Sequence, residues 1–122
     1  MAITGLAHVQ VTITAGGEDT ARAFYGRLLG LVEVTKPASL SDRGGCWFAA
    51  GQQEIHCGVD ETVPVGRHHP ALLTDDLASL RGELEGAGFR TTDDRPLPGY
   101  SRFYANDPFG NRIEFMQPVA SR

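Results

Sequence analysis

The stretch FYANDPFGNRIEFMQP, residues 103–118, contains a tight turn between two strand-like runs. Within it, DPFG places proline at the second and glycine at the fourth position of the turn, where a type I turn favours them. The flanking residues predict strands over 100–105 and 111–117. The sequence therefore predicts a closing β-hairpin, with the carboxylate of Glu114 in the middle of the last strand.

The rest of the second half predicts a strand, a helix and another short strand before this hairpin. HPALLT (69–74) and residues 89–92 have the composition of strands. Between them, DDLASLRGELEGAG (75–88) predicts a helix with leucines at helical spacing. Asp75 or Asp76 can cap its start, and two glycines end it. The predicted order of this half is β-α-β-β-β.

The first half predicts the same order of elements. LAHVQVTIT (6–14) alternates between two faces, as a half-buried strand does. An acidic start and apolar residues at helical spacing predict a helix over 19–29. Three further strands are expected over 31–35, 46–50 and 54–59, with a turn at SDRGG (41–45). Residues 60–67 have the composition of a linker.

The two halves form an internal repeat. The matched helix residues are Gly26, Leu28 and Gly30 with Gly82, Leu84 and Gly86. The matched hairpin residues are Phe48 with Tyr104, Cys46 with Arg102, and IHC (55–57) with IEF (113–115). Each half is too small to bury its own sheet, so we expect two modules, about 4–60 and 68–119, to pack into one α+β domain.

The repeat places metal-ligating residue types at equivalent positions. The first strands carry His8 and His69, and the last strands carry His56 and Glu114. A lone histidine on a strand is most often a hydrogen-bonded structural residue. Three of the chain's four histidines and a carboxylate on repeat-related strands instead indicate a metal site. A one-residue slip of the strand would replace His69 by its neighbour His68.

Composition and charge argue against several functions. The 122 residues carry a net charge of −4 and no cluster of Lys and Arg, so a nucleic-acid-binding surface is not expected. No apolar run is long enough to span a membrane, and the N-terminus does not resemble a signal peptide. Two cysteines make no disulfide framework. These features predict a soluble cytoplasmic protein.

Four stretches resemble the vicinal oxygen chelate superfamily, which includes glyoxalase I, bleomycin- and fosfomycin-resistance proteins and extradiol dioxygenases. They are LAHVQVTI (6–13), ARAFYGRLLGLVEV (21–34), HPALLTDDLASL (69–80) and FYANDPFGNRIEFMQP (103–118). The resemblance implies two βαβββ modules that form a cup-shaped mixed sheet, with the helices outside and a metal ion at its floor. The ligands that it implies in this chain are His8, His56, His69 and Glu114. Dimeric relatives share each site between two chains, so the resemblance also implies a homodimer with shared sites.

Three imidazoles and one carboxylate suit a divalent ion such as Zn, Ni, Co, Mn or Fe(II). Such an ion can chelate a substrate with two neighbouring oxygens and act as a Lewis acid. His8, His69 and Glu114 make the two-histidine, one-carboxylate set of Fe(II) oxygenases. Relatives such as glyoxalase I often carry glutamate where this chain has His56, so His56 is either a fourth ligand or a general base. Glu114 and His56 are the candidate catalytic residues.

Two functions of different classes are compatible with these residues. The ligand set favours a metal-dependent enzyme that acts on a small oxygen-rich molecule, as a lyase, isomerase, dioxygenase or thiol transferase. The alternative is a metal-free protein that sequesters a drug or metabolite, and an acidic chain would suit a cationic one. Trp47, Arg102 and Tyr104 could line a substrate pocket in either case, although packing for aromatics and solvation for arginine are the commoner roles.

Overall fold

The computed structural model describes residues 1–119, and the chain divides into two compact units. The first unit is Met1–Pro64, and the second begins at Val65. Each unit contains one four-stranded sheet. Among residues 1–119, no helix is long and apolar enough to cross a membrane.

In the first unit, the first and last strands are neighbours. The elements are β1 (His8–Ile13), α1 (Glu18–Ala21), a π-helical segment (Arg22–Leu28), β2 (Val32–Val34), a 3-10 helix (Ala38–Arg43), β3 (Cys46–Ala50) and β4 (Gln53–Val59). The strand order is β1-β4-β3-β2, with β1 parallel to β4 and the other pairs antiparallel. This order places His8 and His56 on adjacent strands.

The helix predicted over 19–29 forms, but it widens after its first turn. The N–H of Leu29 donates to the carbonyl of Phe24 at 2.9 Å, which spans one residue more than an α-helical bond. Phe24 and Tyr25 are both buried, with ring centroids 5.0 Å apart. Both follow the buried Ala21 by three and four residues, so they lie on the apolar face that helical spacing predicts.

The second unit repeats the arrangement of the first. Its elements are β5 (Ala71–Leu73), α2 (Leu77–Gly86), β6 (Thr91–Thr92), β7 (Tyr100–Asn106) and β8 (Arg112–Pro118). The strand order is β5-β8-β7-β6, with β5 parallel to β8. Asp76 caps α2, and its carboxylate accepts a hydrogen bond from the N–H of Ser79 at 3.2 Å. The predicted α+β fold of two βαβββ modules is confirmed.

Several strands are shorter than the sequence predicts. The strand expected over 69–74 begins at Ala71, because Pro70 has no N–H to add to the ladder. The carbonyl of Pro70 still accepts a hydrogen bond from the N–H of Glu114 at 3.0 Å. The strands expected over 31–35 and 89–92 are likewise limited to β2 and β6.

The hairpin turn after β7 is held by the buried carboxylate of Asp107. Its Oδ1 accepts hydrogen bonds from the N–H of Phe109 at 2.9 Å and from the N–H of Asn111 at 2.8 Å. Its Oδ2 accepts a third from the side-chain amide of Asn111 at 2.8 Å. The side chain therefore satisfies backbone groups that the turn would otherwise bury unpaired. The DPFGN motif thus determines where β8 begins and therefore where Glu114 lies in the sheet.

The sequence match of Phe48 with Tyr104, and of Cys46 with Arg102, is wrong by one residue. Trp47 lies opposite His56 in the first sheet, and Tyr104 lies opposite Glu114 in the second. The corrected matches are Trp47 with Tyr104 and Cys46 with Phe103. Sequence comparison missed this shift because both strands carry two consecutive aromatics, which align almost equally well in either register.

Gly45 is the glycine whose replacement should disturb the first unit most. Its φ is +83°, and an added Cβ would lie 2.1 Å from the carbonyl oxygen of Cys57 on the neighbouring strand. Its N–H donates to Oε2 of Glu18 at 2.7 Å, and this hydrogen bond holds the pKa of Glu18 below its usual value. Gly51 also has a positive φ, +61°, but nothing lies within 4 Å of its added Cβ.

We expect Gly45→Ala to lower the free energy of unfolding by about 3 kcal/mol, and Gly51→Ala by only about 1 kcal/mol. Both variants strain the backbone, but only the first adds a clash with backbone atoms. Urea denaturation of the two variants measures the difference. Equal losses would show that the approach of Gly45 to Cys57 carries no energetic cost.

Candidate functional site

In the second unit, His69 and Glu114 are brought into contact. His69 Nε2 lies 3.0 Å from Glu114 Oε1, and Nδ1 donates a hydrogen bond to the carbonyl of Arg67 at 2.7 Å. Glu114 is buried, with 6% of its surface exposed, whereas His68 is exposed. The structure therefore brings His69, and not its neighbour, to the carboxylate.

The contact between His69 and Glu114 is favourable only if a proton or a metal ion lies between Nε2 and Oε1. A carbonyl oxygen only accepts, so the nitrogen facing Arg67 carries a proton. In neutral His69 the lone pair is then on Nε2, which faces a carboxylate oxygen that is also an acceptor. Two acceptors at this distance repel unless a proton or a metal ion lies between them. An imidazole nitrogen and a carboxylate oxygen are both ligand atoms that divalent metal ions bind.

Arg102 is the other partner of Glu114. Its Nη1 donates to Glu114 Oε2 at 3.2 Å and to the hydroxyl of Tyr104 at 2.8 Å, and its Nη2 donates to the carbonyl of Arg95 at 2.7 Å. Asp94 adds a longer ion pair at 3.7 Å. The guanidinium of Arg102 is therefore bound to protein groups. It is not the solvated surface arginine that the sequence analysis gave as the commoner role.

The buried side chain of Tyr104 lies beside the pair of His69 and Glu114. The edge of its ring meets His69, with centroids 5.1 Å apart, and the guanidinium of Arg112 lies 3.9 Å from the ring centroid. Arg112 also donates to the carbonyl of Arg67 at 3.3 Å, the same oxygen that binds His69. Arg112 thus helps to hold the imidazole of His69.

In the first unit, His56 is stacked between two rings. The ring of Trp47 lies parallel to it at a centroid distance of 3.7 Å, and the ring of His8 lies on it at 4.0 Å with 14° between the planes. His56 is buried, with 6% of its surface exposed, while His8 is exposed. The strand histidine predicted from the repeat is therefore held in a defined orientation.

Glu54 is a site residue that sequence analysis missed. Its Oε1 accepts a hydrogen bond from His56 Nε2 at 2.9 Å, and β-sheet register pairs Glu54 with His8. The signal was present in the sequence, because residues two apart on a strand share a face. With Nε2 donating to Glu54, the lone pair of neutral His56 is on Nδ1.

The four predicted ligands thus occur as two contacting pairs, His8 with His56 and His69 with Glu114, each within its own unit. Within the described residues, no three or more His, Cys, Asp or Glu side chains form a cluster that could hold a metal ion. Tyr104 and Arg112 line a cavity of about 290 Å³ in the second unit. Trp47 and Arg102, also predicted to line a substrate pocket, contact two of the candidate ligands, His56 and Glu114.

A family model for the Glyoxalase/Bleomycin resistance protein/Dioxygenase superfamily matches residues 5–115. The chain belongs to this superfamily. The uncharacterized protein YwbC of Bacillus subtilis (strain 168) is 33% identical, over 77% of this chain and 83% of that protein. The superfamily assignment confirms the resemblance stated from the sequence.

Solved structures agree with the superfamily fold. A crystal structure described as a glyoxalase family protein from Bacillus anthracis is 47% identical, covers 98% of both chains and superimposes with a TM-score of 0.91. TnmS3, an antibiotic binding protein from Streptomyces sp. CB03234, is 22% identical, with 98% of this chain and 99% of that chain covered and a TM-score of 0.76. The latter likeness shows the fold alone.

Proposed function

We propose that this superfamily member is a metal-dependent enzyme whose divalent ion is bound by His8, His56, His69 and Glu114. The observation that carries the proposal is the 3.0 Å contact of His69 Nε2 with Glu114 Oε1. Two ligand atoms at about 2.1 Å from one ion and at right angles to each other would lie about 3 Å apart. This spacing is compatible with two neighbouring ligands of one octahedral ion, and also with a hydrogen bond from a protonated His69.

The second support is the arrangement of the hydrogen bonds that His69 and His56 make. Histidine ligands commonly donate the other ring N–H to a carboxylate or a backbone carbonyl, which fixes the tautomer and the ring orientation. His69 donates to the carbonyl of Arg67, and His56 donates to Glu54. Each imidazole therefore keeps one lone-pair nitrogen for an ion or for a proton.

The bound ion would act as a Lewis acid toward a substrate with two neighbouring oxygens. The protein residues would orient the ligands, exclude water and hold a proton. Arg102 holds the carboxylate of Glu114 in place, so in this proposal it orients a ligand and does not bind a substrate carboxylate. Tyr104 excludes water from one side of that carboxylate. Glu54 orients His56, which would hold or accept a proton if it is not itself a ligand.

The alternative function is metal-free binding of a small molecule. Two observations favour it: Arg102 neutralises Glu114 with no ion, and the stack of Trp47, His56 and His8 presents aromatic rings of the kind that bind planar ligands. The alternative predicts that a small molecule binds equally well with and without a metal chelator.

The proposal includes a homodimer in which His8 and His56 of one chain meet His69 and Glu114 of the partner, as the superfamily resemblance implies. Size-exclusion chromatography with light scattering measures this directly. A monomer that still binds one ion per chain would contradict the shared arrangement.

We expect His56→Ala to weaken metal binding at least about tenfold, the scale of losing a ligand or the group that orients one. Isothermal titration with Ni²⁺ or Zn²⁺ measures the affinity. His68→Ala is the matched control, because it removes an exposed histidine next to the site and should leave the affinity unchanged. Equal affinities for both variants would show that His56 does not contribute to metal binding.

A further inference from the structure

The two cysteines of the chain lie directly opposite each other in the first sheet. Antiparallel pairing of β3 with β4 places Cys46 across from Cys57. Neither is in a disulfide, and both are buried, with 2% and 1% of their surfaces exposed. Since the chain contains only these two cysteines, any disulfide within one chain must join them.

The geometry of this pair is compatible with a disulfide. Directly opposed residues of antiparallel strands have Cα atoms about 4.5 or 5.5 Å apart, and disulfides span Cα distances of about 4.4–6.8 Å. The two thiols are already in contact. A hydrogen bond with the Cys57 thiol lowers the pKa of Cys46, against the opposing effect of burial. Strand separation is therefore no obstacle to bond formation.

A cavity in the first unit borders one cysteine of the pair. Cys46 lines a cavity of about 470 Å³, together with Arg22, Lys36 and Ser41. A water molecule occupies about 30 Å³ of liquid volume, so the cavity has room for a molecule of the size of hydrogen peroxide. Cys46 lines this cavity and Cys57 does not, so the Cys46 sulfur is the one that we expect to react first.

We propose that Cys46 and Cys57 form a reversible cross-strand disulfide, with a hydroperoxide as the oxidant. The Cys46 sulfur attacks one peroxide oxygen, the O–O bond breaks, and a sulfenic acid and one water (or alcohol) are formed. The Cys57 sulfur then attacks the Cys46 sulfur, and the sulfenic oxygen leaves as a second water with the thiol proton. Two thiols lose two electrons to the peroxide, and a dithiol reductant reverses the reaction by exchange.

The disulfide would change the strand positions next to the candidate site. The next pair in the same ladder is Trp47 with His56, so the covalent bond would constrain the strands that carry both stacked rings. Trp47 is the only tryptophan in the chain, and its fluorescence therefore reports on this ring stack. The disulfide itself does not depend on the proposed metal site.

The experiment treats the whole protein with hydrogen peroxide in the presence of a metal chelator. We expect free thiols to fall from two to none per chain, with a mass decrease of two hydrogen atoms and no gain of oxygen. Peptide mapping should recover Cys46 linked to Cys57, and dithiothreitol should restore both thiols. On a non-reducing gel the product should remain a single chain.

Three results would overturn the proposal: thiols that persist, cysteines that gain oxygen and stay unlinked, or disulfides between chains. Cys57→Ser should retain the oxidised Cys46 as a sulfenic acid, detected with a sulfenic-acid reagent, or carry it to higher oxides. Cys46→Ser should slow the loss of the remaining thiol at least about tenfold, because Cys57 is then the only cysteine and does not line the cavity. If either variant does not fold, the mass and the peptide map of the unaltered chain still show whether the Cys46–Cys57 disulfide forms.

Discussion

Glu114→Gln should weaken the binding of a divalent ion by about 100-fold or more, the largest effect on function that we expect. The amide keeps the shape of the side chain but removes the only carboxylate in the predicted ligand set. Replacing groups that merely orient a ligand already costs about 10–100-fold in metal affinity. The contact with His69 would also change, because an amide N–H can satisfy the Nε2 lone pair without an ion.

Isothermal titration of both proteins with the same ion measures this effect, and Glu83→Gln on the exposed face of α2 is the matched control. A thermal melt must accompany it, because Glu114 is buried against Arg102. A folded Glu114→Gln protein with unchanged affinity would remove Glu114 from the ligand set.

Asp107→Ala should lower the free energy of unfolding by about 3 kcal/mol, the largest effect on stability that follows from the sequence motif. The substitution leaves the N–H groups of Phe109 and Asn111 and the side-chain amide of Asn111 without the oxygens that accept from them. Unsatisfied buried donors cost about 1–3 kcal/mol each, and water that enters the shortened site offsets part of this.

Urea denaturation of Asp107→Ala and of Asp42→Ala tests the expectation, since Asp42 is an exposed aspartate in the first unit. We expect Asp42→Ala to change the free energy of unfolding by less than about 0.5 kcal/mol. Similar values for the two variants would mean that the DPFGN turn forms without the help of the Asp107 carboxylate.

Local patterns in the sequence were enough to predict the order of the elements. The proline and glycine of the DPFG turn, the two-residue alternation in 6–14 and the helix cap at Asp75 or Asp76 each depend on neighbouring residues only. The repeat then indicated which strands are equivalent. For these reasons the α+β fold of two βαβββ modules was predictable before the structure was known.

The site was less predictable because it depends on contacts between strands. Sequence comparison placed Tyr104 one residue out of register, which concealed that Trp47 and Tyr104 face His56 and Glu114. The parity of residues 54 and 56 was visible, but a carboxylate near a strand end is usually solvated. That Arg102 would neutralise Glu114 depends on its long side chain crossing from β7 to β8, which no local pattern encodes.

The metal content of the untagged protein tests the central claim most directly. The protein is dialysed at neutral pH against a mixture of divalent ions, then against buffer without metal, and analysed for its elements. We predict about one tightly bound ion per chain, and the identity of that ion would indicate the chemistry. Absence of any retained ion would contradict the metal-dependent function and leave small-molecule binding as the function to test.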